Sequence, residues 1–155
     1  MNSTLTTICS IAMLFATPLL SAKTLEFTID GVKSSKGKIY VQLFKGEESY
    51  QSNKAYLSSI AVAKQGQITI RFNDLGVDDL ATDGADANDL NNDYAIRYYH
   101  DENDNASMET NLFGMPTEGY GYSNNAKANY GPVKYAQIKF HLASQTVLNT
   151  STIAY

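Results

Sequence analysis

A chain of 155 residues, 43% of them hydrophobic, suffices for one core-forming domain and is short for two. Lys and Arg number 12 against 16 Asp and Glu, a formal net charge of −4, which excludes the clustered basic surface that a nucleic-acid partner requires. The one cysteine, Cys9, excludes a disulfide framework and a thiolate metal site.

The stretch from Ile8 to Leu20 is apolar, shorter than the roughly 20 residues a membrane span needs, and is followed by the small residues Ser21 and Ala22. That pattern predicts a signal peptide over residues 1–22, export to the bacterial envelope as a periplasmic or secreted protein, and no stable membrane span after cleavage. Removing 22 of 155 residues leaves 133 for a single domain over residues 23–155. A buried first strand or an uncleaved anchor is the competing reading, against which Thr17, Pro18 and Ser21 interrupt the run.

Period-two alternation, the signature of a half-buried strand, begins at Thr24. Leu25, Phe27 and Ile29 share one face of the first strand. In residues 38–44, Ile39, Val41 and Leu43 share a face and leave Tyr40, Gln42 and Phe44 on the other. Residues 46–54 read as a short helix or a loop. Strands follow over 56–63 and 67–72 around a turn at Gly66, then over 94–99. Residues 134–142 are predicted as a strand with Ala136, Ile138, Phe140 and Leu142 inward, and 145–155 as the last strand. No segment has a convincing period of 3.6. About seven short strands with long loops predict an all-β fold, an antiparallel two-sheet sandwich.

Two long connections, 73–92 and 103–132, flank the 94–99 strand and are expected at one end of the sandwich. Loops of this length in a compact domain are usually functional or disordered. Between Asp74 and Glu118 twelve carboxylates face a single Lys or Arg, Arg97. Asp101, Asn103, Asn105 and Glu109 hold the first, third, fifth and ninth places of a run. They form a hard-oxygen set for weak calcium binding, with the Ser107 carbonyl beside them. An EF-hand is excluded, because its sixth and twelfth places hold Ala106 and Leu112. The other reading is a self-bonded loop in which Asp and Asn side chains cap neighbouring amides. Asp83, Asp86, Asn88, Asp89, Asn91 and Asp93 offer a second loop, either cation-binding or simply solvated.

His100 ends a strand, and with His141 as the only other histidine its expected role is to bond loop backbone. Ser107 or Ser123 with His100 and Asp101 is the only nucleophile–base–orienter set. Neighbours on a strand point to opposite faces, which opposes a relay. Glu109 and Glu118 are a carboxylate pair for glycoside hydrolysis, with no separation fixed by the sequence. Tyr120, Tyr122 and Tyr130, with Glu118 beside them, lie in a Gly- and Asn-rich stretch suited to binding carbohydrate or peptide. The alternative folds these rings over the open end of the sandwich.

Tyr94-Ala95, His100-Asp101-Glu102-Asn103, Gly114-Met115-Pro116 and Glu118-Gly119-Tyr120-Gly121-Tyr122-Ser123-Asn124 together resemble the pattern of domain-of-unknown-function family 2141, small exported bacterial proteins. The resemblance implies a sandwich of immunoglobulin-like or transthyretin-like type in the envelope and no established activity. Ala106 stands where that pattern has Gly, Glu109 where it has Asp, and the connection 74–93 is longer. The expected function is a non-catalytic binding or structural module acting on an envelope ligand or protein. A hydrolase of an envelope saccharide or ester is the alternative.

Overall fold

The computed structural model describes residues 22–75, 93–128 and 133–155. In chain order these form β1 (Lys23–Val32), β2 (Lys38–Lys45), α1 (Gly46–Gln51), β3 (Leu57–Val62) and β4 (Gly66–Leu75). There follow β5 (Asp93–Asp101), β6 (Gly119–Tyr122), α2 (Tyr135–Ile138), β7 (Phe140–His141) and β8 (Thr146–Thr152). One sheet has the order β4-β1-β8; the other runs β3-β2-β5-β6, with β7 also beside β5.

The two sheets meet through the side chains that alternation assigned inward. Leu25, Phe27 and Ile29 of β1, with Ile70 and Phe72 of β4, share one cluster with Ile39, Val41 and Leu43 of β2 and Ile96 and Tyr98 of β5. Withdrawing each large apolar side chain from water stabilises by about 1.5–3 kcal/mol, and a one-residue slip would turn a whole set outward. Phe27 and Tyr98 meet edge to face at 5.5 Å, and the Tyr98 hydroxyl donates to Ser151 Oγ at 2.9 Å. Past β8, Ala154 exchanges backbone hydrogen bonds with Tyr120 of β6 and links the sheets at one side. Among the described residues no helix is long and apolar enough to cross a membrane.

The sandwich agrees with the alternation, with four differences. The β1–β8 pair is parallel, whereas the other pairs are antiparallel. Residues 134–142 are not one strand: α2 occupies Tyr135–Ile138 and β7 only Phe140–His141. Ala136 is exposed there, while Ile138 and Tyr135 pack with Phe44, Ala95 and Val133 on the outer face of the five-stranded sheet. The Gly-rich stretch Gly119–Tyr122 is strand β6 rather than loop. Finally, the two long connections join opposite ends of β5, whose nine residues span about 30 Å. Residues 1–21 of the expected signal peptide, with Cys9, the acidic residues Asp83 to Asn91, and Tyr130 lie outside the described residues.

Candidate functional site

The His100–Asn103 run builds a scaffold. His100 is fully buried, its Nε2 bonding the Lys36 carbonyl at 2.7 Å and its Nδ1 the Tyr155 hydroxyl at 2.7 Å. Because a carbonyl can only accept, Nε2 carries the proton. The neighbouring Gly37 has φ +68°, and a Cβ there would fall 1.8 Å from the Asp101 carbonyl oxygen. Asp101, also fully buried, accepts the Asn105 N–H at 3.2 Å on one oxygen and the Ala106 N–H at 2.8 Å on the other. Asn103 Oδ1 accepts the Asn105 N–H, and Asn105 Oδ1 accepts the Ser107 N–H. The amide nitrogens of Asn103 and Asn105 both donate to Glu109 Oε1, at 2.9 and 2.7 Å. Glu118 closes the loop: its two oxygens accept the N–H groups of Glu102 and Glu109, each at 3.2 Å.

These bonds bear on calcium directly. Asp101, Asn103, Asn105 and Glu109 do come together, but amide nitrogens rather than oxygens point at the Glu109 carboxylate. The donor set as arranged does not fit a hard cation, which needs converging oxygens. Among the described residues no group of three or more His, Cys, Asp or Glu is placed to hold a metal.

The second run, Glu118 to Asn124, has an equally physical logic. Gly119 and Gly121 face inward, where a Cβ would fall 2.4 Å from the Tyr155 ring and 2.2 Å from the Tyr98 hydroxyl. Tyr120 and Tyr122 alternate outward. Ser123 Oγ accepts the Ile96 N–H at 2.9 Å and donates to the Ile138 carbonyl, tying β5 to α2. Asn124, at φ 58°, donates to the Gln137 and Lys139 carbonyls and holds α2 in place.

What the two runs position is a groove of about 520 Å³ on the outer face of the five-stranded sheet. Its floor follows from cross-strand register. Tyr99 and Tyr120 line the groove in one row across β5 and β6, which Tyr40 of β2 continues beyond the lining, and Gln42, Arg97 and Tyr122 form the next row. The Tyr40 and Tyr99 rings stack at 5.0 Å with 7° between their planes, and Tyr120 meets Tyr122 edge to face at 6.2 Å. Met108, Met115 and Pro116 of the 102–118 connection form a wall. That wall is held because Asn111 Oδ1 accepts the N–H groups of Phe113 and Met115, while Thr110 and Pro116 pair as an isolated bridge. The Tyr99 hydroxyl donates to the Ala106 carbonyl at 3.1 Å, fixing the wall to the floor. Burial pushes the Tyr99 and Tyr122 phenols above the ordinary tyrosine range, and the Arg97 cation offsets part of that push, so both stay neutral at physiological pH.

The groove contains the anticipated Tyr120 and Tyr122, presented by a strand. Glu118 is buried beneath the connection and serves the backbone. The nucleophile set does not assemble: both His100 nitrogens are engaged, the Asp101 carboxylate turns into the loop, and the Ser123 hydroxyl sits between Ile96 and Ile138. Sequence reasoning missed Gln42, Arg97, Tyr99, Met108 and Met115 as site residues. The available signal was a non-core strand face carrying Tyr40 and Gln42, and one Arg among twelve carboxylates.

A family model described as an uncharacterized protein conserved in bacteria, DUF2141, matches residues 27–149. No curated protein and no solved structure matches the chain. The matched span includes both runs that build the scaffold and every strand of the groove floor, and the chain belongs to the DUF2141 family.

Proposed function

We propose that this protein is an exported, non-catalytic binding module of the bacterial envelope whose site is the tyrosine-floored groove, and that the ligand is a saccharide. The observation that carries the reading is the pair of cross-strand rows in which Tyr99 and Tyr120 line the groove beside Gln42, Arg97 and Tyr122. Flat aromatic rings offer apolar area to the C–H face of a pyranose, while phenol, amide and guanidinium groups bond the hydroxyl rim. A groove of this volume with few polar groups on an aromatic floor has the form of a small-ligand site. A peptide adding as a strand needs an open edge, and β6 is already paired at Tyr120 by Ala154. The leader-like pattern over residues 1–22 supports the export half of the reading.

The test is NMR titration of the purified chain with a panel of envelope-type oligosaccharides. Shifts should concentrate at Tyr99, Tyr120, Tyr122 and Arg97, and Tyr120→Ala should weaken binding about tenfold with an unchanged far-ultraviolet spectrum, a stacking loss of roughly 1.4 kcal/mol. Shifts centred elsewhere would refute the groove. Turnover of a glycoside or ester, abolished by His100→Ala or Glu118→Ala, would favour the hydrolase instead.

A further inference from the structure

Resting on the groove reading, we infer that its saccharide ligand is acidic and that Arg97 is the residue that selects the carboxylate. Arg97 is half-buried at the centre of the sheet's outer face, its guanidinium 5.3 Å from the Phe44 ring. Its Nε and Nη2 both donate to Gln42 Oε1, at 3.2 and 2.6 Å, and Nη2 also donates to Asn53 Oδ1 at 2.5 Å. All these acceptors are neutral. Among the described residues no carboxylate lies within ion-pair distance of Arg97, and Nη1 makes no hydrogen bond, leaving its two N–H groups to donate.

A guanidinium drawn partly out of water without an anion is an unusual arrangement in an acidic chain. Partial burial disfavours the charge, and neutral amide oxygens compensate less than a charge-assisted bond does. Among the described residues Arg97 is also the only formally charged one of the groove lining, so a ligand's acid group meets attraction there and no carboxylate among those lining residues. The same residue borders a second cavity of about 520 Å³, lined by Tyr50, Asn53 and Tyr135 and by the opposite charges of Lys134 and Glu47. The two cavities therefore meet at the guanidinium. A chain of sugars laid across both would bring one residue's exocyclic carboxylate to Nη1 while neighbouring rings rest on tyrosine floors to either side. Gln42 and Asn53 hold the planar group in place before the ligand arrives, which limits the ordering lost on binding.

The experiment uses isothermal titration of the purified chain with uronic-acid oligosaccharides (galacturonate and glucuronate series) and with their methyl esters, which keep the shape and remove the charge. The acid forms should bind at least about tenfold more tightly than the esters, the size of one charge-assisted bond. Arg97→Gln should erase that preference, so that acid and ester bind the variant equally. Gln42→Glu, which places a carboxylate against the guanidinium, should erase it too and guards against misfolding of the first variant. Tyr120→Ala should weaken acid and ester alike. Equal binding of acid and ester by the wild type, or an acid preference that survives Arg97→Gln, overturns the carboxylate assignment while the groove stands. If no oligosaccharide of either form binds, the groove reading falls and this inference with it.

Discussion

At the scale of single residues, the two motif runs act through backbone atoms. Asp101 and Glu118 each spend both carboxylate oxygens on main-chain N–H groups, and Gly121 is glycine because the Tyr98 hydroxyl occupies the place of a side chain. Gly121→Ala forces the buried Tyr98 ring to move and should destabilise by about 1–3 kcal/mol, the range of overpacked cores, read from urea denaturation. Asp101→Ala strands two amide donors and should cost about 2–3 kcal/mol, as for hydrogen bonds to a charged group. That loss should be the same in EDTA and in millimolar calcium, because the carboxylate serves the backbone. A calcium-dependent rise in the wild-type melting midpoint, absent from the variant, would return Asp101 to the cation. The lone Arg97 was visible in the sequence as a charge imbalance; its neutral partners were not, since Gln42 and Asn53 lie 55 and 44 residues away.

Elements were legible where one face is apolar and the other is not. β1, β2 and β4 bury close to every second residue against the opposing sheet, and β5 does so from Ile96 to His100, so alternation marks them. β6 hides because its inward face carries only Gly119 and Gly121, and the space they leave is filled by Tyr155 and Tyr98 from elsewhere in the chain. α2 hides because four residues are too few for a helical period. The direction of β8 against β1 depends on a partner more than a hundred residues away, which no local pattern encodes. Tyr98 of β5 and Tyr135 of α2 carry an element-level prediction. Burial pushes the Tyr98 phenol from 10.0 up to about 12, against a smaller opposite pull from the Ser151 bond. Burial, and then the Asp93 charge, does the same to Tyr135. Unfolded phenols ionise near 10, so between pH 10 and 12 the unfolded chain sheds protons that the folded chain keeps. Stability is whole below that window and falls as pH rises through it. Urea midpoints from pH 8 upward should decline across the window, and Tyr98→Phe should flatten the decline while lowering the pH 8 value by about 1 kcal/mol through loss of the Ser151 bond.

For the molecule as a whole, the sandwich core and the groove occupy opposite faces of one sheet, with β5 contributing Ile96 and Tyr98 to one and Arg97 and Tyr99 to the other. Strand β1 begins at Lys23, and the leader reading places cleavage beside it. Protein recovered from an envelope fraction should begin near Lys23 by amino-terminal sequencing, and an intact amino terminus recovered from the cytosol would count against export. The alternation of glycine and tyrosine along β6 has a further consequence. Its inward positions admit no side chain, whereas outward Tyr120 belongs to neither packed cluster and outward Tyr122 packs beside Phe44, Ala95 and Ile138. Chemistry on the outside can therefore diversify while the interior stays fixed. Randomising Tyr40, Gln42 and Tyr120 together, with Tyr122 kept, should yield a library in which most members remain folded, a scaffold for selecting new ligand preferences.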